Sequence, residues 1–203
     1  MKLYDGGRAP NPRRVRIFLA EKNISVPVEP VDLGALQQKS PAYTAVNPLQ
    51  RVPALVLDDG TVLTESVAIC RYFEELNPDP PLFGRNTLER ARIEMWNRRM
   101  DMNFLTLVSH VFRNTHPAMK EMEVPQVAAW AEANKPRIAD FIALLDNELK
   151  DRPFAAGDNY SIADITGLVA MDFMKPAKLE VPQELTNLRR WHADVSARPS
   201  AKA

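Results

Sequence analysis

Apolar positions along the 203-residue chain follow two different rhythms, and the change between them falls at a cluster of prolines. In the first part, short apolar runs alternate with helical spacing. Lys2 to Tyr4 predicts a short strand, and Val15, Ile17, Phe18, Leu19 and Ala20 lie in a segment of one helix's length that ends near Asn23. Val26 to Asp32 predicts a second strand, which Pro27 and Pro30 assign to a sheet edge, because proline cannot donate to the ladder. Ala54 to Leu57 and Thr61 to Leu63 flank Asp58-Asp59-Gly60, a hairpin signal that predicts two antiparallel strands. Glu65 to Leu76 carries Val67, Ile69, Cys70, Tyr72, Phe73 and Leu76 and predicts a closing helix. The expected order is β-α-β-α-β-β-α.

Asn77-Pro78-Asp79-Pro80-Pro81 then interrupts the pattern. Proline lacks the amide donor and disfavours helix in the residue before it, so 77–86 is expected to link a first domain, 1–76, to a second, 87–203. Strand signals vanish after the linker. Ile93, Trp96, Met100, Phe104, Leu107 and Val111 recur at steps of three and four, predicting one long helix from Thr87 to about Arg113. Pro125 to Leu149 repeats the theme, with Pro136 as a place for a bend. Ser161 to Phe173 and Glu184 to Ala197 complete the set. Ser161-Ile162-Ala163-Asp164 resembles a capping box with Asp in place of Glu or Gln. The fold class read from these patterns is an α/β domain followed by an all-α domain.

Composition narrows the function classes. Twenty-six basic residues balance 26 acidic ones, so electrostatics gives no reason to expect a nucleic-acid or membrane partner. One cysteine cannot form an internal disulfide, and the start lacks the apolar region of a signal peptide, which together predict a cytoplasmic protein. No apolar run approaches the ~20 residues that span a bilayer, and no Cys/His spacing suggests a structural metal.

Four segments carry a family resemblance: Ala9-Pro10-Asn11-Pro12-Arg13-Arg14-Val15, Asn47-Pro48-Leu49-Gln50-Arg51-Val52-Pro53-Ala54-Leu55, Thr64-Glu65-Ser66-Val67-Ala68-Ile69, and Ala156-Gly157-Asp158-Asn159-Tyr160-Ser161-Ile162-Ala163-Asp164. In this order, across nearly the whole chain, they resemble the cytosolic glutathione transferase family. The resemblance implies a thioredoxin-like first domain, glutathione as co-substrate, a homodimer, and an active site in the cleft between the domains. It implies that Pro53 follows a cis bond and that Val52 exchanges amide hydrogen bonds with the cysteinyl unit of the tripeptide. Glu65 and Ser66 are then expected to start a helix whose free amides bind the γ-glutamyl carboxylate, Glu65 orienting the ligand's amino group. Lys39 and Arg51, and more weakly Gln38, fall where the resemblance places groups for the glycyl carboxylate. Ser161 and Asp164 correspond to the family's capping motif and are expected to determine the fold.

The catalytic position departs from the pattern. Ala9 stands where serine-type relatives carry the hydroxyl that stabilises the thiolate. Tyr4 lies within a strand, which points to packing, and the sole cysteine, Cys70, lies in the closing helix. A thiol of pKa ~8.5 still needs activation at neutral pH. The helix beginning near Asn11 offers its positive end and an amide donor, and Arg8, Arg13 and Arg14 add positive potential. None is a base. Further along, Arg99, Asn103, Thr106, His110 and Asn114 form a polar stripe on the long helix, and His116 lies just beyond it. His110 or His116, with a water held by Asn114, is the candidate acceptor of the thiol proton; a merely solvated helix face is the other reading. An apolar electrophile is expected near Met102, Phe104, Val108 or Phe112, side chains that equally suit a core. Hydroperoxide reduction or isomerisation at the same site, and a binding module without catalysis, remain as alternatives.

Overall fold

The computed structural model describes residues 1–203, which form two compact units: 1–82 with 199–203, and 83–198. The first contains β1 (Lys2–Asp5), α1 (Pro10–Glu21), β2 (Val28–Pro30), α2 (Pro41–Val46), β3 (Ala54–Val56), β4 (Val62–Thr64) and α3 (Ser66–Leu76). A single 3-10 turn, Gln37–Lys39, precedes α2. The sheet order is β2-β1-β3-β4, with β1 and β2 parallel and the other pairs antiparallel. The proline-bearing β2 occupies an edge, where a missing amide donor breaks no second ladder. Leu3, Val15, Ile17, Phe18, Ala54, Leu55, Ile69 and Phe73 make a closed core, with α1 packed against α3.

Lys22, at the end of α1, secures the start of the proline cluster. Its Nζ donates to the carbonyls of Asn77 at 2.7 Å and Pro80 at 2.5 Å and pairs with Glu74 at 2.5 Å. The last residues also belong to this unit. Arg13 donates to the Ala201 carbonyl at 3.0 Å, and the Ser200 hydroxyl donates to Glu21. The sequence pattern had grouped residues 199–203 with the helices, because five residues show no periodicity that assigns them.

The second unit is helical: α4 (Thr87–Met100), α5 (Thr106–Thr115), α6 (Ala128–Glu148), α7 (Ile162–Met174) and α8 (Thr186–Ser196). The long helix expected from Thr87 to about Arg113 is interrupted by a π-helical segment, Asp101–Leu105. The wider turn changes the register by one residue, and the adjacent Phe104 and Leu105 are both buried. Helix α6 starts at Ala128 rather than Pro125, and Pro136 lies inside it. Helix α7 is buried on all sides except at Asp172 and Phe173, the pattern of a central helix. Gly167 permits its contact with α8, since a Cβ there would lie 2.8 Å from the Trp191 ring. The capping box at its start is complete, with Ser161 and Asp164 each accepting from the other end of the first turn. No helix is long and apolar enough to cross a membrane.

Candidate active site

The β3–β4 hairpin sets the geometry of the first unit's site. Ala54 pairs with Thr64, so the next residues outward, Pro53 and Glu65, leave the sheet side by side. The Val52–Pro53 peptide bond is cis. One residue earlier, the Arg51 carbonyl accepts from the Tyr43 hydroxyl at 2.6 Å and from Asn47 Nδ2 at 2.7 Å. Two side chains of α2 and its cap therefore hold the backbone that leads into Val52. Tyr43 is buried, and burial pushes its phenol up to about 12. On the other side of Val52 runs the loop after β1. A Cβ on Gly6 would come 2.7 Å from Val52 Cγ2, so only glycine lets this loop lie so close.

Glu65 is the N-cap residue of α3, with φ 65° and ψ 115°, a backbone conformation that costs energy for any side chain but glycine. Its carboxylate is exposed and makes no capping bond, and no acidic residue lies in the first turn of α3. The amides at this helix end are available to an anion. Ser66 follows and is 5% exposed; its Oγ accepts from Arg14 Nη1 at 2.8 Å. Arg14, expected to lend its charge to the thiol end of the site, lies instead buried beneath the start of α3. Lys39 and Arg51 are exposed, and Gln38 is buried.

At the start of α1, the N-cap Ala9 supplies no side-chain bond. Pro10 and Pro12 have no amide hydrogens, which leaves the exposed Asn11 as the sole one of the first three helix residues with a backbone donor. The preceding loop is fixed by Asp5, which accepts from the Gly7 amide and from Arg16, each at 2.5 Å. Tyr4 packs edge-on against Tyr43, with ring centroids 5.6 Å apart, and Lys2 sits over its ring. Cys70 is fully buried and its thiol is pushed up to about 12 by burial, although the Arg14 charge opposes that shift.

In the second unit, His110 is half-buried on α5, its ring 5.7 Å from that of Trp130 and its Nδ1 without a hydrogen-bond partner. His116, beyond the end of α5, accepts from the Ala118 amide at Nδ1 (3.2 Å) and stacks on Phe112 at 4.5 Å. Asn114 is buried, and both ends of its carboxamide are engaged. Nδ2 donates to the His110 carbonyl at 2.9 Å, and Oδ1 accepts from the Val127 amide at 2.8 Å. It fastens the chain that leads into α6. Among the expected electrophile contacts, Phe104 and Val108 are wholly buried in the core, Met102 is exposed, and Phe112 packs on Phe173.

Sequence reasoning named Val52, Pro53, Glu65 and Ser66, which the hairpin register brings together. It missed Tyr43, Asn47 and Asp5, which position the backbone around them. Asn47 had a signal, an asparagine before proline at the end of a predicted helix; a tyrosine hydroxyl bonding a distant carbonyl leaves none.

A family model described as the glutathione S-transferase N-terminal domain matches residues 9–76, and one for the C-terminal domain matches residues 96–199. Glutathione S-transferase 2 of Saccharomyces cerevisiae is 38% identical over the whole of this chain and 88% of its own length. The crystal structure of Gtt2 from the same organism superposes with a TM-score of 0.95, covering 100% of this chain and 99% of that one. The structure of a glutathione S-transferase domain-containing protein from Marinobacter aquaeolei is 36% identical, with a TM-score of 0.95 over 98% of this chain and 99% of its own. A maleylacetoacetate isomerase of Pseudomonas aeruginosa is 45% identical over 94 residues, which cover 45% of this chain and 44% of the isomerase. With both domain models matched in order and the fold shared end to end, the chain belongs to the glutathione S-transferase family and is a glutathione transferase.

Proposed function

We propose that this transferase binds glutathione through Val52, Glu65 and Ser66, lowers the pKa of its thiol with His110 as proton acceptor, and conjugates the thiolate to an apolar electrophile. The observation that carries the binding mode is the uncapped start of α3, with its buried Ser66, set beside the cis Val52–Pro53 bond by the β3–β4 register. The α3 amides and the Ser66 hydroxyl take the γ-glutamyl carboxylate, Glu65 orients the amino group, and the Val52 backbone pairs with the cysteinyl unit. Lys39 and Arg51 serve the glycyl carboxylate. Near the thiol, Ala9 offers nothing, and the Asn11 amide and the α1 dipole stabilise the sulfur's negative charge.

The base must come from elsewhere, and two features favour His110 over His116. The Nδ1 of His116 already accepts the Ala118 amide at 3.2 Å, so that nitrogen is engaged with backbone. The Nδ1 of His110 is buried without a hydrogen-bond partner, so no backbone donor occupies it. In the reaction the thiol proton passes to His110, and the thiolate forms a C–S bond at the electrophilic carbon, either displacing a leaving group that departs with its bonding electron pair or adding to an activated double bond whose π pair takes up the proton. Such conjugation detoxifies apolar electrophiles. We read the enzyme as a cytoplasmic homodimer, a reading supported by Leu88, Met95 and Met102, exposed apolar residues seven apart along α4 and the π segment.

The test is the pH titration of bound glutathione, followed by thiolate absorbance in the ultraviolet. The wild-type protein should hold the thiol well below ~8.5, His110→Ala should return it toward that value, and His116→Ala should leave it low. An unmoved thiol in His110→Ala overturns the assignment of the base. Binding with no lowering in the wild type favours a binding module. The maleylacetoacetate isomerase similarity makes isomerisation the second reading, and an electrophile screen beside a cis–trans isomerisation assay separates it from conjugation.

A further inference from the structure

The anion site at the start of α3 has a partner on another helix. Arg14 is 2% exposed, within α1, and its guanidinium reaches across the α1–α3 contact to donate to Ser66 Oγ at 2.8 Å in a buried bond. A guanidinium can only donate. Once the Ser66 oxygen accepts from it, the hydroxyl hydrogen is directed to an acceptor on another side. A charged donor also polarises the hydroxyl and makes it a better donor in turn. The charge is felt along α3: at Cys70, one turn beyond Ser66, burial raises the thiol, Arg14 pulls it down, and Glu74 raises it by less.

We propose that Arg14 is a positioning residue of the glutathione site: by donating to Ser66 it fixes the direction of the serine hydroxyl and places a buried positive charge behind the γ-glutamyl carboxylate. The inference rests on the binding mode above and extends it to a residue that touches no ligand. Burial is what makes the arrangement effective. An exposed arginine at this distance would be screened by water and salt, whereas a charge held under the helix end acts through a medium of low dielectric and needs no reorganisation when the ligand arrives. Lysine cannot substitute fully, because a point charge on a flexible stem lacks the planar fork that reaches Ser66 from α1.

The experiment compares glutathione with an analogue whose γ-glutamyl α-carboxylate is a neutral amide, by calorimetric titration of the wild type, Arg14→Lys, Arg14→Met, Ser66→Ala and the Arg14→Met/Ser66→Ala double variant. The wild type should prefer glutathione over the amide by a factor of ten or more, on the order expected for a charge-assisted hydrogen bond. Arg14→Met should lose most of that preference, Arg14→Lys should lie between, and in the Ser66→Ala background the same change should cost much less than in the wild type. A residue with a merely structural role would weaken both ligands equally and leave the preference unchanged, and that result overturns the proposal, as does additivity in the double variant. If Arg14→Met does not fold, the ligand preference of Arg14→Lys decides alone: a preference equal to the wild type's refutes the role of the fork geometry in directing Ser66. Failure of the wild type to bind glutathione at all would overturn the binding mode itself, and the two failures are thereby distinct.

Discussion

Cys70 and Tyr43 are the residues whose ionisation the fold resists most plainly. Burial holds the Cys70 thiol at about 12 against an ordinary 9.0, and the Tyr43 phenol at about 12 against 10.0. Between those values the unfolded chain has released protons that the folded chain still binds, so stability should fall as pH rises from about 9 to about 12. Below pH 9 both contributions are fully present. Denaturant midpoints measured across this range should show the decline, and Cys70→Ala should flatten its slope whatever it does to stability at neutral pH. The same burial predicts that a thiol reagent at pH 8 leaves the native protein unlabelled and modifies one site after denaturation. At this scale the sequence was legible for residue types whose role depends on their neighbours in the chain: Glu65 and Ser66 at a helix start, Pro53 before a strand. It was not legible for Arg14, whose charge was expected near the thiol, because the partner of a long side chain is chosen by whichever helix packs beside it.

Among the elements, α7 carries the heaviest polar load. Asp164 is fully buried and accepts from the amides of Ala155 at 2.8 Å and Ser161 at 3.0 Å, from Trp191 Nε1 at 2.9 Å and from the Ser161 hydroxyl at 3.1 Å. Burial raises its carboxyl above the ordinary range, against the opposing pull of all four bonds. Ser161→Ala should cost about 1 kcal/mol, the usual loss of an N-cap. Asp164→Ala should cost ~3 kcal/mol or more, since it strands several buried donors at once. Equilibrium unfolding in denaturant checks the ranking, and equal losses would show that the carboxylate is no more than a cap. The capping box was visible as a four-residue pattern. Its extension to Ala155 and Trp191 was not, because those donors come from 9 and 27 residues away. The π segment escaped for a related reason: a strict count of apolar steps does not register a one-residue insertion that the core alone rewards.

For the whole molecule, the exposed stripe of Leu88, Met95 and Met102 makes a prediction about assembly. Placing charge in the middle of it, as Met95→Glu, should convert a homodimer to monomer at micromolar concentration, measured by light scattering on a sizing column; a dimer that persists moves the interface elsewhere. The sequence by itself determined the order of elements in the first unit, the edge position of β2, the change from α/β to all-helical architecture at the proline cluster, and the family. Each follows from local rules, such as periodicity, missing proline donors and motif order, which need no partner from a distant part of the chain. Tertiary structure decided the attachment of residues 199–203 to the first unit, the clamp of Tyr43 and Asn47 on the Arg51 carbonyl, the engagement of His116 and Asn114 with backbone, and the seat of Arg14 beneath Ser66. In each of these a polar group must find a partner once water is excluded, and which partner stands within reach is settled only when the chain has packed.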